Sequence, residues 1–201
     1  MKIGIMGGTF DPIHFGHLAT AEAVREIFTL DEIIFIPAAR PPHKLGRNVT
    51  DEKHRLAMTI LATRSNKFFR VSDMELKRTG LSYTLDTVNE LHKIFGDSAE
   101  IFFIIGADSL ADLPKWHAAR ELVNKCHFIA TTRQGVDIDF SAVENFFGAA
   151  AVEHIHRVTT PGLEISSTDL REKVRLGLSI KYLVPESVED YILSEKLYCG
   201  R

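Results

Sequence analysis

MKIGIMGGTFDPIHFGHLATAEAV, residues 1–24, decides how the rest of the chain is read. Its first apolar run, KIGIM (2–6), is continuous rather than alternating, the pattern of a strand covered on both faces. Gly7, Gly8 and Thr9 then fall at the carboxyl end of that strand, the side on which open α/β sheets bind ligands. Glycines there let backbone N–H groups approach a ligand and take conformations closed to other residues. A helix is expected to begin around His17, its free N–H groups and dipole favouring an anion. His14 and His17, three residues apart, share one side of that first turn. Both can donate to phosphate oxygens, and a protonated ring adds charge.

Three rival readings fit less of the stretch. The dinucleotide fingerprint G-x-G-x-x-G is not met: the glycines are Gly4, Gly7, Gly8 and Gly16, and no acidic residue clearly marks the end of the second strand. A zinc site needs a third ligand beyond H-x-x-H. A tight turn with incidental histidines leaves their placement unexplained. A cradle for nucleotide phosphates accounts for the glycines, the histidines and their position together.

Outward from this loop, the strand pattern recurs. EIIFIP (32–37), FFRVSD (68–73), EIFFIIG (100–106), CHFIATT (126–132) and HIHRVT (154–159) read as further strands. Amphipathic segments at 17–29, 51–64, 84–95, 117–125 and 140–147 lie between them. Strand alternating with helix predicts an α/β fold: a Rossmann-like open parallel sheet flanked by helices. After residue 160 the pattern turns helical. SSTDLREKVRLG (166–177) begins with a Ser/Thr cap and ends at Gly177, and VPESVEDYILSEKL (184–197) carries Pro185 near its first turn. The chain is thus read as one domain, 1–201, with an α/β core over 1–160 and a small helical C-terminal subdomain over 161–201. About 40 residues make a poor core alone, so that piece is expected to pack on the sheet.

Composition bounds the partners. The 201 residues, 45% hydrophobic and 25% charged, suit one globular domain. A net charge of −3 and a pI near 6.3 supply no general pull toward nucleic acid or an anionic membrane. A phosphate ligand must therefore be held by local chemistry. Cys126 and Cys199 lie far apart in no metal-type spacing and read as free thiols in a reducing compartment. No stretch approaches the ~20 apolar residues of a membrane span, and the first apolar run is too short for a signal-peptide core. A cytoplasmic location is expected. Oligomeric state is left open, a homodimer being one option.

Other segments offer candidate chemistry. In ISSTDLR (165–171) one hydroxyl of Ser166, Ser167 or Thr168 caps a helix, leaving others to meet phosphate, and Arg171 lies one turn further on. RPPHKLGRN (40–48) is a proline-stiffened cationic loop on the ligand side of the second strand, from which Lys44 can reach a phosphate. Gly106-Ala107-Asp108 ends a further strand, and Asp108 precedes a short helical stretch that its carboxylate can cap. Trp116, the only tryptophan, reads on its own as a core or staple residue. His54, His92, His117, His127, His154 and His156 read as structural or surface residues, and whether 140–156 has a role beyond packing is left open.

GGTFDPIHFGHL (7–18) resembles the H-x-G-H signature of the nucleotidyltransferase superfamily, and ISSTDLR the I-S-S-T-x-[IL]-R motif of its adenylyltransferase branch. PPHK (41–44), SYTLDT (82–87), IIGADS (104–109) and LPKWH (113–117) extend the likeness over essentially the whole chain, to the bacterial nicotinate mononucleotide adenylyltransferases. The resemblance implies transfer of AMP from ATP to nicotinate mononucleotide, giving deamido-NAD and pyrophosphate by direct in-line attack. It assigns His14, His17, Lys44 and Arg171 to the reacting phosphates, with His43 assisting. It assigns ATP contacts to Gly7, Gly8, Thr9, Phe10, Gly16, Gly106, Asp108, Ile165, Ser167 and Thr168. It gives the mononucleotide to Thr84, Trp116 and Arg133, and implies Mg²⁺ carried on the ATP phosphates. Within the class the alternatives are nicotinamide mononucleotide or phosphopantetheine as acceptor. Outside it they are a silent nucleotide-binding module or a hydride-transferring enzyme.

Overall fold

Continuous apolar runs become buried strands. In the computed structural model, which describes residues 1–40, 49–132 and 141–199, six strands form one sheet. They are β1 (Lys2–Gly8), β2 (Glu32–Pro37), β3 (Phe69–Val71), β4 (Glu100–Gly106), β5 (His127–Thr132) and β6 (Ile155–Thr159). All pair in parallel, in the order β3-β2-β1-β4-β5-β6. The chain winds outward from β1 to β3, then returns to lay β4 against the other side of β1. That reversal opens a crevice at the carboxyl ends of β1 and β4, where the Gly7-Gly8 loop sits.

Each face of the sheet carries its own core. On one, Ile3, Ile5, Ile101, Phe103 and Phe128 meet Leu85, Val88 and Leu91 of α4 (Thr84–Phe95). On the other, Ile33, Phe35, Ile104 and Ile129 meet α1 (Phe15–Ile27) through Ala21 and Val24, and α2 (Glu52–Thr63) through Met58 and Ala62. Leu170 of α9 (Ser167–Arg175) and Val188 and Ile192 of α10 (Glu186–Ser194) join this second core. Residues after 160 therefore share the sheet's core instead of building one, as their length requires.

The remaining helices are short: α3 (Met74–Lys77), α5 (Ala107–Asp112), α6 (Ala119–Val123), α7 (Ser141–Phe147) and α8 (Ala149–Val152), with a 3₁₀ turn at Leu113–Lys115. Two differences from the sequence reading have local causes. The helix expected over 117–125 is cut to α6 because Ala118 takes φ +50°, a left-handed conformation that α-helix cannot include. The first helix begins at Phe15 rather than around His17, with His14 as its N-cap. Among the described residues no helix is long and apolar enough to cross a membrane.

Candidate active site

The loop between β1 and α1 is held in an unusual shape. Phe10 takes φ +50°, and the Asp11–Pro12 peptide is cis. The left-handed position is thus a phenylalanine, and none of Gly7, Gly8 and Gly16 is left-handed, contrary to one use the sequence suggested for them. These glycines make room for rings. A Cβ on Gly8 would lie 2.8 Å from the Phe10 ring, and one on Gly16 would lie 2.9 Å from His14 Nδ1. Gly16 is therefore what lets His14 fold back over the helix start.

The two histidines form one unit. Their rings stack with centroids 3.7 Å apart, and the His14 backbone N–H donates to His17 Nδ1 at 3.3 Å. That bond assigns the proton of a neutral His17 ring to Nε2. Phe10 meets the His17 ring edge-on at 5.2 Å. A side chain three residues into the helix thus caps the chain before it, so the helix can start at Phe15.

His14 is 5% exposed, and burial lowers its pKa from 6.5 to about 4. It is neutral at pH 7, so in the unliganded protein it offers hydrogen bonding rather than the positive charge read from the sequence. Its lowered pKa also carries a stability consequence. Between about pH 6.5 and 4 the unfolded chain binds a proton at this residue that the folded protein resists, so stability falls as pH falls through that window. The full effect is on the order of 3 kcal/mol. His14→Gln is expected to flatten part of the acid-side loss in urea midpoints measured from pH 7 to 4. Burial also lowers the pKa of His127 and His156, which add to the acid-side loss together with Glu22, whose pKa the Arg25 hydrogen bond lowers. Parallel pH curves for the variant and the wild type would refute the assignment to His14.

α9 reaches the same loop from the far end of the chain. Ser166 is its N-cap and accepts from the Asp169 N–H at 3.1 Å. The Ser167 hydroxyl donates to Pro12 O at 2.8 Å, and Arg171 Nη1 donates to Asp11 O at 2.7 Å while Nη2 reaches Thr168 Oγ1 at 3.3 Å. The ISSTDLR motif is thus bonded to the His14–His17 loop, with the Arg171 guanidinium on the cleft wall.

The cleft spans about 1380 Å³, larger than a typical small-molecule pocket. Gly7, Gly8, Thr9, Phe10, His14, Gly16, His17, Ile165, Ser167, Thr168 and Arg171 line one part. Thr84, Gly106, Asp108 and Trp116 line another. The structure therefore brings together every described residue that the sequence nominated. Lys44, with His43, and Arg133 lie outside the described residues. Asp108 is exposed at the second position of α5, whose N-cap is Gly106 and has no side-chain cap, so the capping alternative does not hold. Trp116 is half-buried, meeting Phe103 and Phe128 edge-on, and it also borders the cleft. Thr84 opens α4, whose first N–H groups have no carbonyl partners within the helix.

Comparisons with known proteins follow the same lines. A family model described as cytidylyltransferase-like matches residues 5–173. A protein from Thermoanaerobacter sp. (strain X514), bearing the name "Probable nicotinate-nucleotide adenylyltransferase", is 52% identical over 98% of this chain and 94% of its own length. A relative of the same name from Moorella thermoacetica is 48% identical over 100% of this chain and 93% of its own. The chain belongs to the nicotinate-nucleotide adenylyltransferases of the cytidylyltransferase-like family. The fold agrees with the solved structure of Plasmodium falciparum nicotinic acid mononucleotide adenylyltransferase complexed with NaAD. Its TM-score is 0.78 at 24% identity, covering 98% of this chain and 97% of that one.

The structure also gives partners to residues that the sequence did not single out. His117 is exposed, borders the cleft and stacks its ring on Tyr83 at 4.3 Å. Glu75, buried beside the cleft, accepts from the Thr87 hydroxyl at 2.7 Å, and burial raises its pKa. Arg55, 2% exposed, donates to Thr9 O, Ala38 O and Thr50 O at 2.8, 2.8 and 2.9 Å. A signal for Arg55 exists: it falls on the Arg55, Met58, Thr59, Ala62 stripe that buries α2. His127 and His156, read as unrelated, meet at 3.1 Å, with His154 stacked on His127. They lie near the amino ends of β5 and β6, opposite the cleft.

Proposed function

We propose that this protein transfers the adenylyl group of Mg-ATP to the phosphate of nicotinate mononucleotide, releasing pyrophosphate and deamido-NAD. One observation carries the reading: a single cleft joins two helix starts with stacked histidines and Arg171 to a region built from the α4 start, Trp116 and the Tyr83–His117 pair. The first part suits a triphosphate and the second a flat ring bearing an anionic group. The relatives' name supplies the substrates.

An oxygen of the mononucleotide phosphate attacks the α-phosphorus of ATP; that P–O bond forms as the bond to the β-phosphate bridging oxygen breaks, and pyrophosphate leaves. The nucleophile is already anionic, so no strong base is needed. The residues act by alignment and charge neutralisation. His17 donates through Nε2, His14 hydrogen-bonds as a neutral ring, and Arg171, with Lys44, offsets the charge gathering on the leaving group. Gly7, Gly8, Thr9, Phe10, Gly16, Ile165, Ser167 and Thr168 frame the ATP phosphates and base, while Gly106 and Asp108 take the ribose. Arg133 takes the mononucleotide phosphate. Among the described residues no three of His, Cys, Asp and Glu gather as a metal cluster. The divalent ion is assigned to ATP oxygens and water, arriving with the substrate.

Trp116 stacks on the pyridine ring, and the Thr84 hydroxyl and α4 N–H groups receive the carboxylate, where the helix dipole favours an anion over a carboxamide. The test is pyrophosphate release with ATP, Mg²⁺ and each acceptor in turn. Nicotinate mononucleotide is expected to exceed nicotinamide mononucleotide and phosphopantetheine in kcat/KM. Trp116→Ala is expected to raise the KM for the acceptor about tenfold, the worth of about 1.4 kcal/mol of stacking. Equal rates with the two pyridine acceptors would sink the substrate assignment.

A further inference from the structure

α10 ends in a way that returns the chain to the active-site loop. Lys196 takes φ +53° after the C-cap Glu195, and the Leu197 N–H donates back to Ile192 O at 2.9 Å. This is a Schellman closure with lysine at the position where glycine is usual. Tyr198 follows at φ +62°, a second left-handed residue. Each non-glycine residue in that region costs about 1 kcal/mol, so something must hold the segment there. Tyr198 packs partly buried against the second core, and its hydroxyl donates to Asp11 Oδ1 at 2.7 Å.

Asp11 is 5% exposed and lies between left-handed Phe10 and the Pro12-Ile13-His14 turn. Its other carboxylate oxygen accepts from the Thr50 N–H at 3.2 Å, and its main-chain oxygen accepts from Arg171. Burial and the adjacent Asp11 carboxylate push the Tyr198 phenol pKa up, so its hydroxyl remains a donor at working pH. Without that donor, a buried carboxylate oxygen next to the histidine unit loses the one side-chain hydroxyl bonded to it.

We propose that Tyr198 is a positioning residue for adenylyl transfer, acting through Asp11 to hold the 9–14 loop in the shape that presents His14 and His17. The inference rests on the function proposed above. It adds a residue 187 positions away in sequence from the group it positions. A displacement of about 1 Å at the reacting centre lowers rates about a hundredfold, whereas substrate contacts made elsewhere in the cleft are untouched. Tyr198→Phe is therefore expected to lower kcat about 10- to 100-fold and leave both KM values within about threefold.

The experiment is a cycle of Tyr198→Phe, Asp11→Ala and the double variant, read by kcat, KM, thermal midpoint and amide exchange over residues 9–17. Support is a kcat loss in Tyr198→Phe with faster loop exchange and a midpoint lowered by no more than the roughly 2–12 °C that one stranded oxygen costs, and no more than about twofold further loss when Tyr198→Phe is added to Asp11→Ala. An unchanged kcat, a change confined to KM, or losses that multiply in the double variant would each overturn it. Should Asp11→Ala not fold, exchange and the kcat-against-KM split in Tyr198→Phe alone decide. If wild-type protein fails to adenylylate nicotinate mononucleotide, the functional reading falls by itself, and loop exchange in Tyr198→Phe still decides whether Tyr198 holds the loop.

Discussion

Replacing His17 by alanine is expected to lower kcat about a thousandfold while the protein stays folded. Loss of one preorganised donor at a developing charge costs about 10²–10³ in kcat. His17 does more than donate. Its Nδ1 takes the His14 backbone N–H, and its ring lies 3.7 Å from the His14 ring, so alanine also frees His14 from the one ring stacked on it. The stability cost is smaller, because capping side chains contribute about 0.5–2 kcal/mol. His17→Asn restores a cap and a donor of different reach, and is expected to recover part of the rate. Pyrophosphate release at saturating substrates, together with a urea melt, checks this. A kcat within threefold of wild type for His17→Ala would remove His17 from the chemistry.

The second large effect falls on stability. Arg55 is fully buried on α2, yet among the described residues it meets no carboxylate in direct contact; its partners are three main-chain oxygens from three segments. Burial is the main influence on it and lowers its pKa, and the nearby acidic groups Asp11 and Glu52 oppose that shift. Arg55→Met fills much of the volume but strands Thr9 O, Ala38 O and Thr50 O. At about 1–3 kcal/mol for each buried group left unsatisfied, with partial relaxation, a loss of about 3–5 kcal/mol is expected. That is a large share of a typical domain's 5–15 kcal/mol. Arg55→Lys is expected to fall between, since an ammonium lacks the fork that reaches separate carbonyls. Urea unfolding measures both. A change under 1 kcal/mol for Arg55→Met would mean the three carbonyls find other donors.

Both effects meet at one structural point, the loop from Thr9 to His14. Arg55 holds its start, Asp11 with Tyr198 and Arg171 its middle, and Ser167 its Pro12 carbonyl. Three segments distant in sequence, α2, α9 and the chain after α10, converge on six residues that make little regular secondary structure. The loop is thus tethered through main-chain carbonyls and one carboxylate. In the reaction proposed above, such tethers keep His14 and His17 placed before any phosphate arrives, as alignment-driven catalysis needs.

Much of this was legible beforehand because it is local. Continuous apolar runs such as EIFFIIG specify buried parallel strands, and Thr84–Phe95 shows its helix by period alone. The H-x-G-H and ISSTDLR segments announce themselves by residue type and spacing, and the resemblance placed them together across about 150 residues. What escaped is short or non-local. The single-turn helices α3 and α8 have no period to read, and Ala118 breaks a helix that its sequence favours. Asp11 looks like an ordinary surface charge until burial reveals what it holds, and the stripe position of Arg55 marks it as buried without naming its partners.

The sequence by itself determined the order of the strands and the longer helices, and the residue types that line the cleft at the carboxyl ends of the strands. Those follow from periodicity and from chemistry carried within a few residues. Only the tertiary structure decided that His14 is neutral, that Gly16 leaves room for its ring, and that Tyr198 and Arg55 bond to the loop from Thr9 to His14. Burial sets charge state, and close packing sets which distant donor reaches which oxygen. Both depend on neighbours that the fold brings together from positions far apart in the chain.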